Sequence, residues 1–488
     1  MLVEALFQQA AQQGGEIAIR DDVGEHTYAR VAAMASALSR HVSSKTSKPA
    51  VGIMLPSGVG FVASFYGTLL AGKSVVLINF LLGDRELAHV ISDSGIDTVI
   101  TAPPLSHRLE GKGLNLIDLP ALAKSVSGML AIKSAEWIKP SIPTVSPTDT
   151  AVLMYTSGTS GMPKGVVLTY GNVQSDVDAA IEHAQLQHKH VFLGVIPLFH
   201  AFGMTAMMIA PIQLGATIIY MARFNAAAAV KAVREHKVSL MFAVPSMLGA
   251  ILHLKGASPD DFSSIYALIS GGEPLPVTLR DGFLQRFGIP VYEGYGLTET
   301  CAVISLNTPQ RNRPGSVGIP LPCVQVKIAA DDEVWLNGPM ITREYYHLPE
   351  ETAAAFTPDG FFKTGDLGRL DDDGYLFITG RKKDLIIVAG EKALPREIED
   401  ILLQHPSVAE AAVVGKKDAA RGEVVVAFVT ARPGQSVDVQ GLREFCREKA
   451  LPQWKIPREI FVESEMPHSP TGKILKRVLG ERVNGQRN

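Results

Sequence analysis

Between residues 51 and 270 short runs of β-branched and aliphatic residues alternate with helical patterns, a rhythm that leaves few folds open. Residues 51–55, 74–78 and 98–101 read as strands, and 2–13, 28–42, 60–71 and 84–93 read as helices. The rhythm returns later, with strands expected at 191–196, 217–220, 240–244 and 267–270 and a helix at 224–236. Such alternation signals parallel sheets covered by helices. By periodicity it forms two α/β sub-units. Past residue 316 the texture shifts to shorter strands and turns, a β-rich piece. A dense charged cluster, GRKKD at 380–384, then precedes a helix (395–404), strands (408–414, 424–430), another helix (440–450) and a basic tail. The expected fold class is therefore α/β. A large N-terminal domain (1–380) would hold two parallel-rich sub-units and the β-rich piece, and a small α+β C-terminal domain (385–488) would follow a hinge at 381–384.

The chain has 488 residues, 46% of them hydrophobic and 19% charged, which suits a large globular core. A net charge of −3 gives no global field toward nucleic acid, so none is expected as a partner. Three scattered cysteines (Cys301, Cys323, Cys446) argue for a reducing compartment, read as the cytoplasm. The start, MLVEALFQQAAQQGGE, lacks the pattern of a secretory signal. From 56 to 82 the only charge is Lys73, a length that could span a bilayer. Four glycines (Gly58, Gly60, Gly67, Gly72) interrupt it, and 74–82 looks like a buried strand. A core helix followed by a strand is expected, with no transmembrane segment; peripheral membrane contact is the alternative.

Residues 155–165 read YTSGTSGMPKG. Hydroxyls at Thr156, Ser157, Thr159 and Ser160 alternate with Gly158 and Gly161, and Lys164 follows. Glycines let a backbone bring its N–H groups close to an anion, and hydroxyls and an ammonium add donors. The loop suits polyphosphate. It is not a P-loop, because Met162 and Pro163 part Gly161 from Lys164 and Gly165 stands where a magnesium-binding hydroxyl belongs. Further short strings follow in order: SGGEP at 270–274, YEGYGLTET at 292–300, TGD at 364–366, GRKKD at 380–384 and SPTGKILK at 469–476.

Together these strings resemble the adenylate-forming superfamily of acyl- and aryl-CoA synthetases, firefly-type luciferases and peptide-synthetase adenylation domains. The resemblance covers nearly the whole chain, and GRKKDLIIVAGEKALPREIE at 380–399 is most similar to fatty acyl-CoA ligases. It implies an acid–thiol ligase that makes acyl-AMP from a fatty or other apolar carboxylic acid and ATP with Mg2+, then transfers the acyl group to CoA. It further implies that Thr156, Ser157, Gly158, Thr159, Ser160, Gly161 and Lys164 wrap the β- and γ-phosphates, that Glu299 binds Mg2+, and that Thr298 reaches the α-phosphate. Gly272, Glu273 and Pro274, with Glu293, Gly294, Tyr295 and Gly296, would frame adenine. Asp366 would accept from the ribose hydroxyls, and Arg381 would contact the ribose and phosphate.

Lys473 would be the adenylation lysine, carried on a mobile C-terminal domain that turns about Lys383 so that Ala389 and Gly390 approach CoA; Lys392 would contact a nucleotide or CoA phosphate, with a solvated helix-start lysine as the rival reading. His200 would gate the carboxylate, with Phe202, Met204 and Gly271 lining the acyl pocket; core packing is the rival reading for His200 and the methionines. His183, His188 and His190 lack zinc-type spacing and read as a solvated helix end. Four departures stand out: Ser160 for a threonine, no glycine before Glu333 in DDEV, Glu344 where a glycine often precedes the tyrosine pair, and Ala389 for a common serine, which opens the alternative of a carrier-protein phosphopantetheine as acceptor. A nucleotide-binding scaffold without catalysis is the remaining alternative.

Overall fold

The computed structural model describes residues 2–103, 105–124, 132–133, 140–157, 162–468 and 474–485. Two sheets dominate the larger part. A six-stranded sheet runs, edge to edge, Asn115–Asp118, Thr98–Thr101, Ala50–Met54, Ser74–Leu77, Thr150–Ser157 and Pro163–Thr169. All of its pairings are parallel except the last. A nine-stranded sheet is parallel through Val291–Tyr295, Ala267–Ser270, Leu240–Ala243, Val191–Gly194, Thr217–Tyr220 and Ile17–Asp21. Short antiparallel strands close it at both ends.

The strand Ile17–Asp21 was not foreseen. It pairs with Thr217–Tyr220, some 200 residues away, so the N-terminus is stitched into the second sub-unit.

The apolar stretch from 56 to 82 folds as the helix Val59–Leu70, buried along nearly its whole length, and the strand Ser74–Leu77. Such all-round burial explains its uniform hydropathy. No helix among the described residues is long and apolar enough to cross a membrane.

A four-stranded antiparallel sheet spans residues 325–381. The expected missing glycine before Glu333 leaves its mark here: Asp332 takes φ +71, and its backbone N–H donates to the Ala329 carbonyl. An aspartate tolerates the left-handed region better than most residues.

A separate C-terminal domain follows. Its five-stranded sheet is built on the hairpin Val408–Asp418 and Gly422–Ala431, and the helices Pro395–Leu402 and Val439–Glu448 contribute buried Ile398, Leu402, Leu442 and Cys446 to one core.

Candidate active site

The stem of the polyphosphate-type loop is the hairpin of Thr150–Ser157 and Pro163–Thr169, in which Thr156 stands opposite Lys164. Gly158, Thr159, Ser160 and Gly161 lie outside the described residues. Helix Asp84–Ser94 holds both stems: the Tyr155 phenol donates to Asp93 Oδ2 at 2.6 Å, and a His89 ring nitrogen lies 3.0 Å from the Pro163 carbonyl. The segment 342–346 runs alongside, and the Tyr346 N–H donates to the Gly165 carbonyl at 2.7 Å. A Cβ on Gly165 would stand 3.0 Å from Tyr346 Cβ, so this close pass favours glycine. The Lys164 ammonium pairs with the Glu351 carboxylate and lies 5.6 Å from the centre of the Tyr345 ring.

Thr298 and Glu299 sit in a single 3-10 turn closed by Thr300, whose hydroxyl accepts from Leu297 N at 2.9 Å. The Glu299 carbonyl accepts from Thr342 N at 2.7 Å, and its Oε1 accepts from the Tyr345 phenol at 2.9 Å. Burial and the Glu299 charge push that phenol well above its ordinary range. Among the described residues no cluster of three or more metal-ligating side chains exists. One half-buried carboxylate beside the stem of the polyphosphate-type loop fits Mg2+, which commonly takes one or two protein carboxylates plus substrate phosphates.

The adenine-type strings lie where an α/β sheet presents its ligands, at the carboxyl ends of parallel strands. Gly271 to Pro274 follow Ala267–Ser270, and Gly272 takes φ +81. The neighbouring strand carries Glu293, Gly294 and Tyr295. Burial pushes the Glu293 carboxyl up to about 7, against the opposing charges of Arg396 and Arg280 and a backbone N–H bond from Leu275. Gly296 passes so near the Ala302 carbonyl that no Cβ fits.

Asp366 is the best-restrained polar group of the cleft. It is 3% exposed and stands opposite Arg381 in the hairpin register. The Arg381 Nε lies 2.9 Å from its Oδ1, and the Tyr295 phenol donates to its Oδ2 at 2.5 Å. Burial raises the carboxyl; the Arg381 charge and the two hydrogen bonds work against that rise.

On the far side, His200 precedes the short helix Ala201–Met204, with its ring centre 4.8 Å from that of Phe199. Phe199 meets Phe80 edge-on at 5.0 Å, and Phe202 meets Phe242 at 5.8 Å. A Cβ on Gly271 would come within 3.0 Å of the Phe202 ring, so these two residues are neighbours in an aromatic wall. Met204 is fully buried in the main core, as are Met207 and Met208. The helix then widens into a π turn, Thr205–Ile209, which the sequence did not signal. His190 is buried, not solvated: its ring meets the Ser239 hydroxyl at 3.0 Å and packs 5.1 Å from Tyr266.

Lys473 lies outside the described residues, but its flanks are placed, with His468 and Ile474 bridged antiparallel. Lys383 lies in the exposed turn Lys382–Asp384. Ala389 (φ +53) and Gly390 (φ +91) form the tip of the hairpin Ile386–Val388 and Glu391–Ala393. Lys392 lies 3.9 Å from Asp332.

The structure thus joins Lys164 to Glu299 through Tyr345, and Tyr295 to Arg381 through Asp366. Tyr345 and Glu351 escaped the sequence reading. The available signal was the tyrosine pair at 345–346 just after Glu344, where a glycine often stands in the resembled superfamily.

Residues 6–346 match the family of AMP-binding enzymes, and residues 397–473 match the AMP-binding enzyme C-terminal domain. A long-chain-fatty-acid–CoA ligase of Bacillus subtilis (strain 168) is 33% identical over 88% of this chain and 85% of its own. Among solved structures, ATP-bound MatB from Rhodopseudomonas palustris superposes with a TM-score of 0.90 at 25% identity over the whole of both chains. O-succinylbenzoate coenzyme A synthetase from Bacillus subtilis, in complex with ATP and a magnesium ion, gives 0.83 at 29% identity over 97% of this chain and 98% of that one.

Proposed function

Because the chain belongs to the AMP-binding enzyme family, we propose that its cleft joins an apolar carboxylic acid to CoA by way of an acyl-adenylate. An AMP-forming acyl- or aryl-CoA ligase is the activity common to this chain and its relatives. The choice of an apolar acid rests on one observation: the Phe202 ring, edge-on to Phe242, stands beside Gly271.

In this reading the Thr156–Lys164 segment binds the β- and γ-phosphates, and Thr298 meets the α-phosphate. Glu299 holds Mg2+, which supplies positive charge against the phosphates. Tyr295 lies along adenine within a frame made by Gly272, Glu273, Pro274, Glu293, Gly294 and Gly296. Asp366 accepts from the ribose hydroxyls, and the Arg381 charge works against the rise that burial causes.

Lys473 steadies the acid carboxylate and the α-phosphate together. An acid oxygen attacks the α-phosphorus, the bond to pyrophosphate breaks, and acyl-AMP forms. The thiol sulfur of CoA then attacks the acyl carbon, and AMP leaves. Preorganised donors are worth most where charge develops, and in this reading the Thr298 hydroxyl is such a donor. For the second step residues 385–488 turn about Lys383, withdrawing Lys473 and bringing Ala389, Gly390 and Lys392 toward the thiol; His200 gates the acid. The three free cysteines support a cytoplasmic setting.

The test is pyrophosphate release with a panel of fatty and aromatic acids. Release should require the acid and favour apolar chains or rings; no acid-dependent release with any of them refutes the proposal. With CoA alone, acyl-CoA should form; a stall at acyl-AMP would point to a carrier-protein phosphopantetheine instead. Lys473→Ala should slow adenylation by roughly 100-fold or more while sparing transfer from preformed acyl-AMP. Equal loss of both steps would contradict the turning domain.

A further inference from the structure

Lys164, the cation of the loop stem, already has an anion. Its ammonium is paired with the Glu351 carboxylate, and their side chains are 22% and 40% exposed. Glu351 lies in the first turn of helix Pro349–Ala355, whose Thr352 hydroxyl accepts from Tyr345 N at 2.9 Å. Tyr345 in turn lies against Lys164 and donates its phenol to Glu299. The row Glu351, Lys164, Tyr345, Glu299 therefore ties the loop-stem lysine to the carboxylate read above as the Mg2+ ligand.

A carboxylate oxygen on an ammonium occupies the position a phosphate oxygen would take, since both are anionic acceptors at similar range. Two such anions close together on one lysine repel each other. We propose that Glu351 is a positioning residue acting through Lys164: a built-in counter-ion that holds the lysine in the nucleotide-free cleft, yields it to the triphosphate, and reclaims it as pyrophosphate leaves. This rests on the reading of Lys164 as a phosphate contact. In its consequence Glu351 weakens ATP binding and speeds release of pyrophosphate. It is a first-product valve that the loop residues alone would not supply.

The experiment uses the full-length enzyme and measures the KM for ATP and inhibition by added pyrophosphate at fixed acid. Glu351→Gln should lower the KM for ATP about three- to fivefold, in line with loss of a half-exposed ion pair, and tighten pyrophosphate inhibition to match. Glu351→Asp, which keeps the charge, should fall back toward the wild-type values. Glu350→Gln, the same charge change one residue away on an exposed position, should move neither. In a Lys164→Ala background Glu351→Gln should have no further effect on either quantity.

An unchanged or raised KM in Glu351→Gln overturns the proposal. So does an equal shift in the Lys164→Ala background, because the effect would then not pass through the lysine. If Lys164→Ala alone leaves the KM for ATP unchanged, the phosphate-contact reading fails first and this inference falls with it.

Discussion

Glu293 shows how one residue of the cleft sets a pH dependence. Its carboxyl titrates near 7 in the folded chain against an ordinary 4.5, because it is buried. Between those values the folded state holds a proton that the unfolded state has released. The contribution is complete below about 4.5 and is lost as pH rises toward 7. The full shift corresponds to about 3 kcal/mol at most. Nucleotide-free Glu293→Gln should therefore melt a few degrees above wild type at pH 8 and level with it near pH 4.5. Thermal scans across that range check this; a constant difference at all pH values would remove Glu293 as the titrating group. At this same scale the sequence carried the chemistry-bearing side chains but not their restraints. Glu299 and Asp366 stand in recognisable strings. The partner of Glu299 is Tyr345, 46 residues on, and that of Asp366 is Tyr295, 71 residues back. Only the packed sheets bring those pairs together.

Elements were legible where local sequence decides them. The expected strands 98–101, 217–220 and 267–270 form with those bounds, since each is a short buried run. The helix expected from 224 begins instead at Ala226, because the Asn225 side chain caps it by accepting from Ala228 N. The hairpin tip at Ala389–Gly390 depends on something subtler. Two-residue hairpin loops with positive φ at both positions favour asparagine or glycine first, and an alanine there costs about 1 kcal/mol. Ala389→Asn should relieve this and slow hydrogen exchange at the amides of Val388 and Glu391. Faster exchange would show that the tip is not strained by its alanine.

At the scale of the whole molecule, the helices and strands beyond the charged cluster at 380–384 were legible, but the sheet order was hidden. A strand at 17–21 cannot announce a partner at 217–220. The observed ties between the 381–396 segment and the preceding sheet are polar: Arg381 to Asp366, Lys382 to Asp331 and Glu333, Lys392 to Asp332, and Arg396 to the Ile378 carbonyl. The two pairs with both partners exposed, Lys382–Asp331 and Lys392–Asp332, are worth about 0–1 kcal/mol each and are screened by salt. Limited proteolysis between 381 and 392 should quicken as salt rises from about 0.05 to about 1 M, relative to a control substrate, and slow when ATP is added. Cleavage indifferent to salt would mean that apolar packing holds the domain instead.

Arg381 is both the cation on Asp366 and the last residue of its strand before the turn Lys382–Asp384. In the function proposed above, the domain turns about Lys383 and the ribose rests on Asp366, so the pivot lies two residues beyond the grip. A nucleotide that reaches Asp366 would then steady the axle, and one too short to reach it would leave the joint slack.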